Sequence, residues 1–391
     1  MNQLHDIRGD EHIQTAIRAA GVDHGTVASW SMAPLTHRVE NMTTASLDRV
    51  HGVMDDGSTW SIVAKTLQPA SASPVFAFIP VEHHEEVLEE LRWLNEPDVY
   101  RSDLGAQLPA PLRMPAIHGI EDQGTDRVTI WMEDVDDVAP WDLARYRRTA
   151  EALGALGGQW CGGNAEERFD LRPRDIAKLF FGKIAHHDMP LQAADEFWDS
   201  PEISAVVDSE HRHDLLELAA AIPALLERLT LLPRGVCHGD ATPDNFREPA
   251  VGDIVALDWS YAHVGELGSD LSQLFVGRFE SGAASIDDVE PIARTVFDGY
   301  CAGLARTGAE VDPTLIETAW AVHLAIRSVF SALILDHRPD LGEDERLDLL
   351  QRRARVARFG IDLALRTARS TESPPPTSPT STSALSGHSL T

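Results

Sequence analysis

The sequence predicts an α+β protein of two lobes, a small strand-rich N-terminal lobe followed by a larger helical C-terminal lobe. Three observations carry that expectation. Residues 26–67 and 111–133 hold short alternating or β-branched runs, WSIVAKTL and RVTIWME among them, broken by turn signals such as Asp55, Asp56 and Gly57. After residue 140 the apolar residues recur at helical spacing instead. That helical pattern has one interruption, where VCHGDATPDNF is followed by DIVALDW. The resulting division is residues 1–135, 136–370 and a tail at 371–391.

Composition narrows the function. At 391 residues and 43% hydrophobic content the chain can bury a full core. With 33 basic against 62 acidic residues its formal charge is -29, which argues against nucleic acid or an anionic membrane as the main partner. The excess favours a cationic small molecule, although solubility alone also accounts for it. Cys161, Cys237 and Cys301 form neither a disulfide framework nor a zinc spacing. Neither a signal peptide nor an apolar run of the roughly 20 residues needed to span a membrane is legible, so a cytoplasmic protein is expected. The tail, TESPPPTSPTSTSALSGHSLT, has almost nothing to bury and reads as disordered. Oligomeric state leaves no mark in the sequence.

Taken in order, the first strands are those of residues 26–67, with WSIVAKTL the most apolar. Next, EEVLEELRWLNEPDVYRSDL sets Val87, Leu88, Leu91 and Leu94 at helical spacing before Pro97, where one helix stops or a second begins. RVTIWME returns to a strand. Beyond it, Leu143, Tyr146, Ala150, Leu153 and Trp160 fall on one helical stripe. Within the interruption, Ile254, Val255, Ala256 and Leu257 predict a short buried strand that delivers Asp258 at its end.

Asp240, Asn245 and Asp258 are oxygen-bearing side chains spaced by five and thirteen positions. A hard divalent cation such as Mg²⁺ wants oxygen ligands and is usually held by one or two protein groups plus substrate phosphates. Asn245 and Asp258 suit that task, which leaves the Asp240 carboxylate as a base for an attacking hydroxyl. Gly239 lets the loop turn tightly, and His238 reads as a buried brace of the loop backbone.

His238, Gly239, Asp240 and Asn245 with Leu257, Asp258 and Trp259 resemble the HGDxxxxN and LDW signature of the aminoglycoside phosphotransferase family, a branch of the protein-kinase-like fold. The resemblance covers roughly residues 30–360 and looks nearest to the longer members that include maltose and glucosamine kinases. It implies a bilobal fold and transfer of the γ-phosphoryl group of ATP, or GTP, to a hydroxyl of a small molecule. Amino sugars, neutral sugars and aminoglycoside-like antibiotics are the acceptor classes it suggests.

The chain has only three lysines, and Lys65 lies on a predicted strand between Ala64 and Thr66. The resemblance implies that it neutralises nucleotide phosphates, whereas a strand-edge lysine deterring aggregation is the structural alternative. Its carboxylate partner is Glu96 in NEPDVYRSDL, or Glu89 or Glu90, since Pro97 biases Glu96 toward extended backbone. VTIWMEDVDD resembles the hinge between lobes, whose backbone groups bond the adenine base, with Met132, Glu133, Asp134 and Val135 facing it and Met132 as a soft apolar wall. RVENMTTASLDRV resembles the nucleotide-covering turn, in which Thr44 and Ser46 take the place of a glycine-rich loop. GELGSDL places Asp270 where the family bonds back to the catalytic loop, and a helix N-cap at Ser269 or Asp270 is the plainer reading.

The acceptor would lie over the helical lobe, near Asp195, Glu196, Trp198, Asp199, Glu280, Trp320 and His323, each of which is also a candidate for an ordinary surface or core position. Two other classes stand beside the kinase: a catalytically inactive kinase-like binding module, and a metal-dependent phosphoester hydrolase reusing the aspartates. Lys65 and the hinge argue against the hydrolase, and the intact set of Lys65, Asp240, Asn245 and Asp258 argues against the inactive module.

Overall fold

The structure, a computed structural model, describes residues 15–16, 18, 27–35, 41–171, 175–335 and 341–370. The tail expected at 371–391 lies outside them. The first half of the fold is a five-stranded antiparallel sheet made of β1 (Val27–Pro34), β2 (Thr44–Met54), β3 (Thr59–Leu67), β5 (Ile117–Asp122) and β6 (Val128–Glu133), in the order β1-β2-β3-β6-β5. The short β4 (Leu112–Arg113) belongs to another sheet.

β3 is flanked by β2 and β6, which is why WSIVAKTL is so apolar: an interior strand is covered on both edges and both faces. Lys65 pairs in register with Leu47 and Ile130 and is buried. The strand-edge reading of this lysine is therefore overturned. The expected turn at Thr43–Ser46 is also revised, because Thr44 already begins β2 and a bulge between Thr44 and Ser46 re-aims that strand end.

The predicted helix before Pro97 is two helices, α1 (His84–Glu90) and α2 (Asn95–Arg101). Pro97 sits in the first turn of α2, where its missing N–H costs nothing, so Glu96 is helical rather than extended. The break at Leu91 divides the expected stripe: Leu91 is buried, while Leu88 and Leu94 are exposed.

The remainder is mainly helical. Its principal helices are α3 (Leu143–Gln159), α4 (Ile176–Lys183), α5 (Ser209–Leu229), α6 (Leu271–Glu280), α7 (Val289–Arg306), α8 (Pro313–Leu324) and α9 (Glu343–Arg369). Tyr146, Ala150 and Leu153 face the core as the stripe on α3 predicts, but Leu143 in its first turn is exposed. α3 and α7 approach closely through glycines: a Cβ on Gly154 would lie 2.1 Å from the Tyr300 carbonyl oxygen, and one on Gly303 2.1 Å from that of Glu151.

Between α5 and α6 lies the interruption seen in the sequence. It comprises β7 (Arg234–Cys237), β8 (Phe246–Ala250), β9 (Asp253–Ala256) and β10 (His263–Glu266). β7 pairs with β10, while β8 and β9 form a hairpin whose β9 edge takes β4 in parallel. No helix among the described residues is long and apolar enough to cross a membrane.

One buried pair ties this insert to the helices. His323 on α8, fully buried, donates from Nε2 to Glu266 Oε2 at 3.1 Å. Burial pushes the Glu266 carboxyl up, but the bond from His323 more than offsets it and holds the group down at about 2. Its folded value is depressed, so the stability it contributes is present above the ordinary 4.5 and lost as pH falls toward about 2. Urea unfolding of wild type and Glu266→Gln between pH 6 and pH 3 is expected to show a gap of about 1–3 kcal/mol at the upper end that narrows toward the lower.

Candidate active site

β7 ends at Cys237 and delivers VCHGD into a loop held from three sides. Asp270 accepts the backbone N–H of His238 at 2.9 Å and of Gly239 at 2.8 Å, one on each carboxylate oxygen. As the first residue before α6 it makes no side-chain cap, so its carboxylate serves the loop and not the helix. The His238 imidazole is buried between Phe246 and Trp259 and bonds through Nε2 to the Leu257 carbonyl at 2.9 Å. It braces the loop against the end of β9. Gly239 has φ +82, and a Cβ there would lie 2.0 Å from the Tyr261 carbonyl oxygen, so only glycine fits the turn.

The hairpin positions the next two groups. Phe246 pairs with Ala256, and the Leu257 N–H donates to the Asn245 carbonyl at 2.7 Å, so Asn245 and Asp258 emerge together from the open end of β8 and β9. Asn245 Nδ2 donates to the Asp240 carbonyl at 2.9 Å and to Asp240 Oδ2 at 3.2 Å, which turns its own side-chain oxygen away from that contact. Asp258 adopts the left-handed conformation, φ 54 and ψ 70, a costly backbone for a residue other than glycine and one that recurs at functional sites.

Lys65 joins the sheet to this loop. Its Nζ lies 2.7 Å from Glu96 Oε2 and 3.0 Å from Asp258 Oδ1. Glu96, not Glu89 or Glu90, is thus the carboxylate paired with it. Burial works against the ammonium charge, but Asp258 and Glu96 more than offset that and hold Lys65 above its ordinary value. Burial pushes Glu96 up to about 7 despite the pull of Lys65. Burial also works against the Asp258 charge, yet Lys65 and the Ser260 contact keep that carboxyl below its usual range. The helix carrying Glu96 is fastened by a residue that sequence reasoning missed: Asn95 Nδ2 donates to the carbonyls of Ser260 at 2.9 Å and Ala262 at 3.2 Å, just past Asp258.

These groups border a cleft of about 390 Å³. Thr44, Lys65, Glu96, Met132, Glu133, Val135, Asn245 and Asp258 line it; Ser46 and Asp240 do not. Met132 and Val63 supply apolar wall. The Glu133 carboxylate is taken by Arg113, at 2.7 and 2.9 Å, and by the Ala116 N–H. The Asp134 carboxylate is likewise held by Arg49 and Ser61. Both side chains are engaged by protein partners, which leaves the backbone groups of this segment as the ones the hinge expectation calls on. Asp244 is exposed at the cleft edge.

The acceptor wall differs from the sequence expectation. Trp198 and Trp320 are buried, the former with its indole N–H on the Gln192 carbonyl, and His323 is committed to Glu266. Asp195 pairs with Arg212. Beside Asp240 stands instead Arg327, which no motif announced: its Nη1 donates to the Gly239 carbonyl at 2.7 Å.

Comparison with known proteins bears on this arrangement. No curated protein matches the chain. Among solved structures, an aminoglycoside phosphotransferase from Alicyclobacillus acidocaldarius is similar at 14% identity over 89% of this chain and 94% of its own, with a TM-score of 0.50. A Plasmodium vivax ethanolamine kinase is similar at 12% identity over 89% and 90%, with a TM-score of 0.48. An amicoumacin kinase in complex with AMP-PNP, Ca²⁺ and Ami is similar at 15% identity over 94% and 97%, with a TM-score of 0.46. The sequence profile of the phosphotransferase enzyme family matches residues 74–313, more than half of the chain and a stretch that includes Glu96 and the whole loop from His238 to Asp270. The chain therefore belongs to the phosphotransferase enzyme family (APH), with the kinase-like α+β fold and the activity of a small-molecule kinase whose acceptor is a hydroxyl.

Proposed function

We propose that the chain transfers the γ-phosphoryl group of ATP to a hydroxyl of a small, sugar-like acceptor, with Asp240 as the base and a divalent cation, Mg²⁺ in the first instance, on Asn245 and Asp258. The observation that carries the reading is Lys65 bridging Glu96 and Asp258 at the cleft, 2.7 and 3.0 Å away. That junction sets a phosphate-neutralising ammonium beside a carboxylate suited to a metal. The donor set fits such an ion: the Asn245 amide spends its N–H groups on Asp240, and the contacts of Asp258 with Lys65 and with the Ser260 N–H both fall on Oδ1. When bound, the cation would neutralise phosphate oxygens during transfer.

The roles of the protein groups follow from position. Lys65 binds nucleotide phosphates, and Glu96 keeps it oriented. Met132 forms apolar wall for the base, and the backbone around Glu133 and Val135 recognises its edge. Thr44 borders the phosphate side of the cleft, and Ser46, one step outside the lining, supports that strand end. Asp240, beside the cleft-lining Asn245 but not itself part of the lining, meets the acceptor hydroxyl and takes its proton as the new O–P bond forms. Catalysis of this kind consists mostly of positioning and charge neutralisation.

A screen for ADP release from Mg-ATP across amino sugars, neutral sugars and hydroxylated antibiotics is expected to find one stimulating class, whose product gains a single phosphoryl group on oxygen. Nucleotide binding without release in any of them would favour the inactive binding module instead.

A further inference from the structure

We infer that Arg327 is a positioning residue for the transfer step, acting through Asp240; the inference rests on the reading of Asp240 as the base. Arg327 is borne on a π-helical turn, Ala325–Val329, that continues α8. π turns are rare, and where one interrupts a helix it often marks a functional position. The side chain is 4% exposed, with Nη1 on the Gly239 carbonyl at 2.7 Å and Nη2 3.5 Å from Asp240 Oδ1. Its guanidinium stacks 4.7 Å over the ring of Phe180 on α4. Nε has no hydrogen-bond partner among the described residues.

A guanidinium is an expensive way to fill that space. One neutral donor would satisfy the Gly239 carbonyl without the cost of taking a charge out of water. What only a planar, charged fork achieves is to tie the Asp240 carboxylate to the backbone of its own loop. Asn245 reaches the other oxygen, Oδ2, at 3.2 Å, so each carboxylate oxygen has its own neighbour and the rotation of the group is fixed. The acceptor hydroxyl then meets the carboxylate in one orientation. Its proton passes to Asp240 as its oxygen bonds to phosphorus, and the bond from phosphorus to the bridging oxygen breaks, its electron pair leaving with ADP.

The test uses the full chain and ADP release from Mg-ATP with water as acceptor, which every assay contains. Arg327→Met should lower turnover about 10–100-fold while leaving KM for ATP within about twofold. Arg327→Lys should recover part of the loss, and millimolar guanidinium chloride should partly restore Arg327→Ala but not Asp240→Asn. The double variant Asp240→Asn/Arg327→Met should be no slower than Asp240→Asn alone, because the arginine acts through that carboxylate. Turnover of Arg327→Met within twofold of wild type, or losses that simply add in the double variant, would overturn the inference. Should Arg327→Met unfold, Arg327→Lys and the double-variant comparison with it decide the matter. Failure of the underlying reading looks different: Asp240→Asn alone would then keep wild-type turnover.

Discussion

Asp240→Asn is expected to bind Mg-ATP with wild-type affinity and to lose phosphoryl transfer by about 10²–10⁴-fold, the span associated with removing a positioned acid–base group. The first half follows from geometry: Asp240 is not among the residues lining the cleft proposed to hold the nucleotide, whereas Asn245 and Asp258 are. The second follows from chemistry, since an amide occupies nearly the same volume but cannot take a proton. The substitution is conservative for the loop. The Asp270 bonds to the His238 and Gly239 N–H groups and the His238 bond to Leu257 do not involve the Asp240 side chain. Calorimetry with Mg-ATP and ADP release with the stimulating acceptor measure the two halves separately. Wild-type turnover in this variant would remove Asp240 as the base, and weakened nucleotide binding would place it in the wrong half of the site.

The parts of this site legible in the sequence are those whose partners are near in sequence or fixed by strand register. His238, Asp240 and Asn245 lie on one short loop, and Asp258 follows a four-residue strand that pairs with the strand directly after Asn245. Lys65 stood out because lysine is so rare in the chain and its neighbours so apolar. The long-range partners could not be read in the same way. Arg327 reaches Gly239 across 88 positions, from a π turn that no periodicity announces, and in sequence it is one arginine among many. Asn95 carries no local signal either, because its role is to bond carbonyls more than 160 positions away.

The acceptor candidates were ambiguous for a different reason. Trp198, Trp320 and His323 carry chemistry that could serve an acceptor, but composition does not say which face of a helix is inward. Trp320 packs against Phe275, Phe297 and Phe359, an ordinary core environment. Pro97 misled in the opposite direction. Its steric restriction on Glu96 is genuine in the interior of a chain but loses force in the first turn of a helix, where α2 places it.

On the proposed metal role, Asp258→Ala is expected to weaken Mg-ATP binding by about 100-fold or more, while metal-free nucleotide binding changes far less, because the carboxylate would serve the cation and the cation the phosphates. Alanine changes two things at once, however. It removes a charge, and it puts a residue with no polar side chain at φ 54, where Asp and Asn are tolerated better. Asp258→Asn separates them: it keeps a side-chain oxygen for the Ser260 N–H and the left-handed turn, and loses only the charge. Both variants should therefore show the same loss of metal dependence, with alanine alone also lowering the unfolding midpoint. In both, Lys65 retains Glu96 at its side, and Glu96 is relieved of the Asp258 charge that helps to raise it, so the ion pair persists and the sheet side of the cleft stays assembled. Calorimetric titration with Mg-ATP and with metal-free ATP reads the difference. Unchanged Mg-ATP affinity in Asp258→Ala would remove the metal role from this residue. A loss confined to alanine would assign the effect to backbone strain.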